Sequence, residues 1–105
     1  MARIEGEKRP QESCKWFGDK VIVTTDYRGV FFGTLRYAKD DIVRLENARN
    51  CVYWSAETRG FLGLAAYGPA EGSKIGAVAP ELELRKVTSI SLCSEDAIDR
   101  WESFL

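Results

Sequence analysis

Hydrophobic and polar residues alternate in short runs between residues 20 and 55, and turn-forming residues separate the runs. β-Branched and aromatic residues dominate these runs, which is typical of strands. In the first run, Val21 and Val23 alternate with the equally hydrophobic Ile22, so we expect a strand whose two faces are both partly covered. The whole stretch predicts four short strands of a small, strongly bent antiparallel sheet.

Two interruptions shape these predicted strands. Gly33 stands in the middle of the strand predicted for residues 30–37, where a missing side chain permits a sharp bend or a close backbone approach. Residues 47–50 interrupt the pattern between the strand predicted for residues 42–46 and the one that begins at Cys51. We therefore expect a curved second strand, followed by two separate strands.

Beyond this stretch the hydrophobic spacing becomes helical within GFLGLAAYG, which predicts a short helix that ends at Gly68 and Pro69. The Gly- and Pro-rich residues 69–80 predict an irregular loop. Alternation returns over residues 81–93, where the polar interruption around Lys86 predicts a bend or a tight connection between two strands.

The C-terminal residues predict a second helix over residues 94–104, with Ser94 as its cap and Trp101 on its apolar side. The elements together predict a mainly β fold with minor α content. We expect a bent sheet or barrel of about five strands, a short helix in an insertion and a C-terminal helix. Residues 16–105 are predicted to form one domain, and residues 1–15 a flexible N-terminal arm.

Charge and composition exclude several classes of function. Lys and Arg (15) nearly balance Asp and Glu (16), so no net field attracts nucleic acid or an anionic membrane. The absence of histidine removes the commonest general base and metal ligand. Cys14, Cys51 and Cys93 share none of the spacings of a zinc site, and we expect them to be reduced thiols. We therefore predict a protein that is not an enzyme and that needs no metal or cofactor.

Hydropathy and aromatic content predict where the protein acts and how it assembles. No apolar run reaches the roughly 18 residues of a membrane span, and the charged N-terminus lacks a signal-peptide core, so we expect a cytoplasmic protein without membrane contact. Three Trp, four Tyr and five Phe are many for a domain of this size. Such a domain can bury only about two thirds of its unfolded surface, so we predict a homo-oligomer.

Two resemblances accompany this pattern. VIVTTDYRGVFFGTL followed by DIVRLENA resembles the first motif of Sm-like or SH3-like small barrels. LELRKVTSI resembles the second Sm-like motif, a strand that in that family pairs with a neighbouring subunit to close a ring. KVTSI lacks the arginine–glycine pair of the RNA-binding members, so the resemblance does not imply their uridine recognition.

A closer similarity, spanning residues 20–101, is to small uncharacterised phage and prophage proteins. The shared runs are RGVFFGTL, LENARNCVYWS, GFLGLAAYGP and PELELRKVTSI, with the ARN run and the following Tyr-Trp as the most distinctive part. This resemblance implies a phage-encoded protein that is made in the cytoplasm of a host bacterium. It implies no activity.

Arg49, Asn50, Tyr53 and Trp54 place a planar cation, an amide and two aromatic faces within six residues. This set can stack a nucleobase and hold a phosphate, because guanidinium binds phosphate bidentately and every base has a π face. The structural alternative is that Trp54 belongs to the core, Tyr53 packs at a subunit contact, and Arg49 and Asn50 form a turn with an ion pair.

Two further candidates lie in predicted loops. Ser73 and Lys74 stand between Gly72 and Gly76, and together they offer the backbone N–H groups, hydroxyl and ammonium of an anion cradle. The alternative is a surface loop. Arg28 supplies another exposed cation at the tip of the first hairpin, where the alternative is an ordinary turn.

Two functions fit these predictions. In the first, a non-catalytic protein binds and sequesters a small anionic ligand at its subunit interfaces. A cyclic nucleotide signal of host anti-phage defence would suit a phage-type protein. In the alternative, a Sm-like ring acts as an adaptor that binds RNA or a host protein through exposed strand edges.

Overall fold

The computed structural model describes residues 16–26 and 29–104. The predicted arm, residues 1–15, and the candidate Arg28 lie outside the described residues. The strands are β1 (Lys20–Thr25), β2 (Val30–Lys39), β3 (Ile42–Tyr53), β4 (Lys74–Ile75), β5 (Ala79–Leu84) and β6 (Val87–Leu92), and the helices are α1 (Gly60–Ala66) and α2 (Glu95–Ser103). The prediction of a mainly β fold with an inserted helix and a C-terminal helix is confirmed.

The sheet is antiparallel and strongly curled. Its strand order is β4-β3-β2-β1-β6, and β5 also pairs with β3. β5 and β6 therefore lie at opposite ends of the order β5-β3-β2-β1-β6, yet only Arg85 and Lys86 connect them. Four strand spacings in a flat sheet would cover roughly 19 Å, whereas a two-residue link reaches about 11 Å at most. The sheet must therefore curl to bring its two ends together, in agreement with the strongly bent sheet that the sequence predicts.

β3 is continuous through residues 47–50, so the predicted break there is wrong. The pairing of β2 with β3 shifts by one residue at this point, and Asn47 takes a left-handed conformation with φ of 52°. Asn47 and Ala48 together lie opposite Gly33, which is the arrangement of a β-bulge. A Cβ atom at Gly33 would lie 3.1 Å from the Glu46 carbonyl oxygen and 3.3 Å from Ala48 Cα, so the predicted close backbone approach is confirmed.

Curling gives the sheet two faces with separate hydrophobic clusters. The cluster enclosed by the sheet comprises Val21, Val23, Leu35, Ala38, Val43, Leu45, Ala48 and Leu84, and Trp16 and Phe17 pack against it. The cluster on the outer face lies under the two helices and comprises Ile22, Val30, Phe32, Cys51, Leu64, Ala65, Cys93, Ala97 and Trp101. β1 contributes to both clusters, so the expectation that both its faces are covered is confirmed.

Trp101 joins the two helices to the outer face of the sheet. Its ring stacks on Phe32 with a centroid distance of 4.8 Å, and its Nε1 donates to the Leu64 carbonyl of α1 at 3.0 Å. The start of α2 is fixed by Ser94, whose Oγ accepts from Ala97 N at 3.0 Å, as predicted for a cap. These contacts place α1 and α2 on one side of the sheet.

The insertion between β3 and β5 differs from its prediction in one respect. Residues 69–80 were expected to be irregular, but Lys74–Ile75 forms β4, which pairs with the end of β3. A strand of two residues is too short to produce an alternating pattern, so the sequence does not reveal it. Gly63 has a clear reason within α1, because a Cβ atom there would collide with the Thr58 carbonyl oxygen.

The bulge at Asn47 provides a test of the fold. We expect Asn47→Val to lower the free energy of unfolding by about 1–2 kcal/mol, because a β-branched residue is disfavoured in the left-handed region. The melting temperature should fall by about 4–8 °C per kcal/mol. Asn47→Gly is the matched control and should keep or raise stability, because glycine adopts this conformation without strain. Equal losses in the two variants would contradict the bulge.

Candidate functional site

Arg49, the central residue of the predicted ligand site, faces the interior of the protein. It is 9% exposed, and its guanidinium donates to three backbone carbonyls of other segments. Nε donates to Gly76 O at 2.8 Å, while Nη1 donates to Trp101 O at 2.7 Å and to Phe104 O at 2.9 Å. Arg49 therefore connects β3 to the loop after β4 and to the end of α2.

The position of this cation has an electrostatic reason. The last carbonyls of a helix lack intrahelical partners, and the helix dipole places partial negative charge at this end. Trp101 and Phe104 lie in the last turn and C-cap of α2, so their carbonyls stabilise a positive charge. The structure thus gives Arg49 a scaffolding role different from the turn with an ion pair that was its structural alternative. Its role toward a ligand remains a prediction.

Two of the other predicted site residues also contact the interior or the neighbouring loop. Trp54 is half-buried and packs against the outer cluster, as its structural alternative predicted. Asn50 is exposed, its carbonyl accepts from Gly76 N at 2.8 Å, and a Cβ atom at Gly76 would collide with its Oδ1. A side chain at residue 76 would therefore require the exposed Asn50 side chain to move.

Ser73 is buried and belongs to a cluster of hydroxyl groups under the insertion. Its Oγ accepts from Ser55 N at 3.1 Å and bonds with Thr58 Oγ1 at 3.3 Å. Thr58 Oγ1 in turn accepts from Ala70 N at 3.0 Å. These bonds join the segment before α1 to the segment after it. The hydroxyl of Ser73 therefore already has hydrogen-bond partners within the chain.

Tyr53 and Lys74 are the two predicted site residues that point outward together. They are cross-strand partners in the pairing of β3 with β4, next to a shift of register between Cys51 and Tyr53. Tyr53 is 56% exposed, and Lys74 is exposed as well. The Tyr53–Lys74 pair therefore presents an aromatic face and an ammonium group side by side on a sheet edge.

A groove of about 510 Å³ on the sheet surface was not predicted. Its lining residues are Arg36, Tyr37, Arg44, Leu45, Glu46, Glu81, Leu82 and Glu83. Arg44 Nε bonds Glu83 Oε1 at 2.8 Å, which lowers the pKa of Glu83 and raises that of Arg44. Alternating charges on β3 and β5 are the sequence signal for this groove. Three carboxylates against two guanidinium groups make it unsuitable for a polyanion.

The described cysteines are unsuited to nucleophilic chemistry. Burial raises the pKa of Cys51 to about 11 and that of Cys93 to about 12, so both thiols are protonated near neutral pH. Within residues 16–26 and 29–104, no group of three or more Asp, Glu, Cys or His residues could hold a metal ion. No helix in the same residues is long and apolar enough to cross a membrane.

Comparison with known proteins places the chain in a family. Residues 18–101 match a family described as a domain of unknown function, DUF6948, and the chain belongs to that family. No curated protein and no solved structure matches the chain. The family description assigns no activity.

The scaffolding role of Arg49 can be tested by stability. We expect Arg49→Met to lower the free energy of unfolding by about 2–4 kcal/mol, because three carbonyls lose charged donors. The matched control is Arg36→Met, which removes an exposed ion pair with Glu46 and should cost at most about 1 kcal/mol. Denaturant unfolding measures both. An Arg49→Met protein as stable as the control would contradict this role.

The buried thiols predict a loss of stability at high pH. Thiols of the unfolded chain ionise near pH 9, whereas Cys51 and Cys93 in the folded chain ionise near 11 and 12. Between these values the unfolded chain binds fewer protons, so the free energy of unfolding should fall as pH rises above about 9, by up to about 1.4 kcal/mol per pH unit for each thiol.

The control for this pH dependence is the double variant Cys51→Ala and Cys93→Ala, because tyrosine and lysine also titrate in this range. Denaturant unfolding at several pH values should give the variant a shallower decline. Equal declines in the two proteins would contradict the raised pKa values. Below pH 8 the two proteins should show the same pH dependence.

Proposed function

We propose that this member of the DUF6948 family is a non-catalytic binding protein that sequesters a small anionic ligand, a nucleotide in particular. The observation that carries the proposal is the Tyr53–Lys74 pair, whose members are exposed and are cross-strand partners on adjacent strands. The tyrosine ring can stack a base, and the ammonium can neutralise a phosphate. Both groups are held on a sheet, which reduces the entropy lost on binding.

The free energies of these interactions indicate how much of the binding free energy one chain can supply. Stacking of a base on an aromatic ring is worth about 1–3 kcal/mol, and an exposed charge pair about 0–1 kcal/mol. Micromolar affinity requires about 8 kcal/mol. The Tyr53–Lys74 pair alone is too weak for sequestration, so the proposal includes a homo-oligomer in which another copy covers the ligand and adds contacts.

The biological setting of the proposal comes from the resemblance to phage and prophage proteins. A phage-encoded protein in the cytoplasm of a bacterial host benefits from removing a signalling nucleotide of anti-phage defence, and removal by binding needs no catalytic group. Cyclic di- and trinucleotides are the ligands that we propose. They offer two or more phosphates and bases to an oligomer that presents several copies of the Tyr53–Lys74 pair.

An adaptor that docks a host protein is the second candidate function. The observation in its favour is the exposure of the apolar side chains of Val52, Leu62 and Val78, each more than half exposed. Docking through such groups would persist at high salt, whereas binding of RNA weakens steeply with salt. The acidic lining of the groove favours a protein over RNA as the partner of an adaptor.

The ligand proposal predicts a shift in melting temperature. Cyclic di- and trinucleotides at saturating concentration should stabilise the wild-type protein, by about 2.7 kcal/mol at one hundred times Kd. Tyr53→Ala should weaken binding about tenfold, because it removes about 1.4 kcal/mol of stacking, and Lys74→Ala should weaken it by at most about fivefold, because an exposed charge contributes at most about 1 kcal/mol. Thermal unfolding and calorimetric titration measure the two effects.

Tyr67→Ala is the matched control, because Tyr67 is equally exposed but stands at the end of α1, with the Arg59 guanidinium 5.8 Å from its ring centroid. It should bind the nucleotide like the wild type. The proposal fails if no nucleotide of the panel raises the melting temperature. It also fails if Tyr67→Ala and Tyr53→Ala lose affinity equally.

A further inference from the structure

We infer that the free edge of β6 is a self-association surface, on which a second copy of this chain pairs its own β6 in antiparallel orientation. The inference does not rest on the proposed ligand. It follows from the backbone groups that β6 presents at its outer edge and from the charges at its two ends.

β6 is the last strand of the sheet order, and among the described residues it pairs with β1 alone. Cys93 N donates to Lys20 O at 3.0 Å, just beyond the strand, so Cys93 faces β1. Backbone groups in an antiparallel strand alternate in direction, so Ser91 also faces β1, whereas Ile90 and Leu92 direct their N–H and C=O groups to the open edge. Two donors and two acceptors are therefore available there.

β6 lacks the features that protect an edge strand. Its sequence VTSISL contains no charge and no proline, and Leu92 at its end is 45% exposed. β5, which like the two-residue β4 pairs with β3 alone among the described strands, contains Pro80 together with Glu81 and Glu83. Proline and charges discourage pairing with another strand, whereas uncharged β-branched residues favour it. A contact between β6 strands of two copies therefore meets less opposition than a contact between β6 of one copy and β5 of another. A ring would require the second kind of contact.

Charge at the ends of β6 selects the antiparallel orientation. Lys86 precedes the strand, and Glu95 and Asp96 follow it at the start of α2. Within the described chain none of the three forms an ion pair. A two-fold pairing centred on Ser91 brings the Lys86 end of β6 in each copy toward the other end of β6 in the partner subunit, which leads into the acidic start of α2. A parallel pairing would place like charges together at both ends.

The same register satisfies the open backbone groups. With Ser91 on the two-fold axis, Ile90 lies opposite Leu92 of the partner subunit, and the reverse pair is identical by symmetry. Each pair exchanges two hydrogen bonds, so four backbone hydrogen bonds form. The contact joins the two sheets into one. It lies at the opposite end of the sheet order from β4 and uses neither Tyr53 nor Lys74, so the copy that covers a nucleotide in the proposed function uses a second, separate contact.

Sedimentation velocity of the full chain over a wide range of concentrations tests the inference. We expect the wild type to form a dimer. Leu92→Lys should raise the dimer dissociation constant about tenfold or more, because two-fold symmetry places an added charge from each copy beside the paired strands. The matched control Leu62→Lys changes an exposed leucine on α1 and should dimerise like the wild type. In the dimer, hydrogen exchange at the amides of Ile90 and Leu92 should slow as concentration rises.

Charge reversal provides a second test that does not depend on how Leu92→Lys folds. Lys86→Glu alone and Asp96→Lys alone should each weaken the dimer, and the double variant should recover it, because the pairs across the two-fold are then restored. In the absence of nucleotide, a monomeric wild type, a ring of more than two copies, or a double variant no better than the single ones would overturn the inference. Loss of nucleotide binding with an intact dimer would affect the proposed function alone.

Discussion

The link of two residues between β5 and β6 is the constraint on which the rest of the structure depends. Arg85 and Lys86 must connect the two ends of the five-strand order, so the sheet has to curl. Backbone bonds hold the link in place: Asp26 N donates to Lys86 O, and Val87 N donates to Asp41 O, both at 3.0 Å. The curl creates an enclosed cluster without any helix and leaves an outer face that must be covered separately.

Covering that outer face determines which polar groups remain for function. α1 and α2 can lie on the sheet only if the end of α2 and the insertion are held there, and Arg49 and Ser73 supply those bonds. A buried guanidinium is costly unless its charge is offset, and here carbonyls at the negative end of a helix offset it. Of the basic and aromatic side chains first assigned to one ligand site, the described structure leaves Tyr53 and Lys74 side by side at the surface.

The strands of the sheet differ in the charge that they carry. β2, β3 and β5 carry cross-strand ion pairs such as Arg36 with Glu46 and Arg44 with Glu83, which add little stability where they are exposed but keep that face hydrated. β6 is uncharged along its whole length. The described sheet therefore has a charged surface on β2, β3 and β5 and an uncharged strand at the β6 edge.

Local pattern in the sequence determined the type of most elements, because alternation, helical spacing and a serine cap act over a few residues. The curved β2 at Gly33, the short α1 and the cap at Ser94 all follow from such signals. Tertiary structure alone decided the direction of Arg49, the continuity of β3 through Asn47 and the existence of β4. These depend on partners far away in the chain, such as the carbonyls of Trp101 and Phe104, and a pattern read over a few residues contains no information about them.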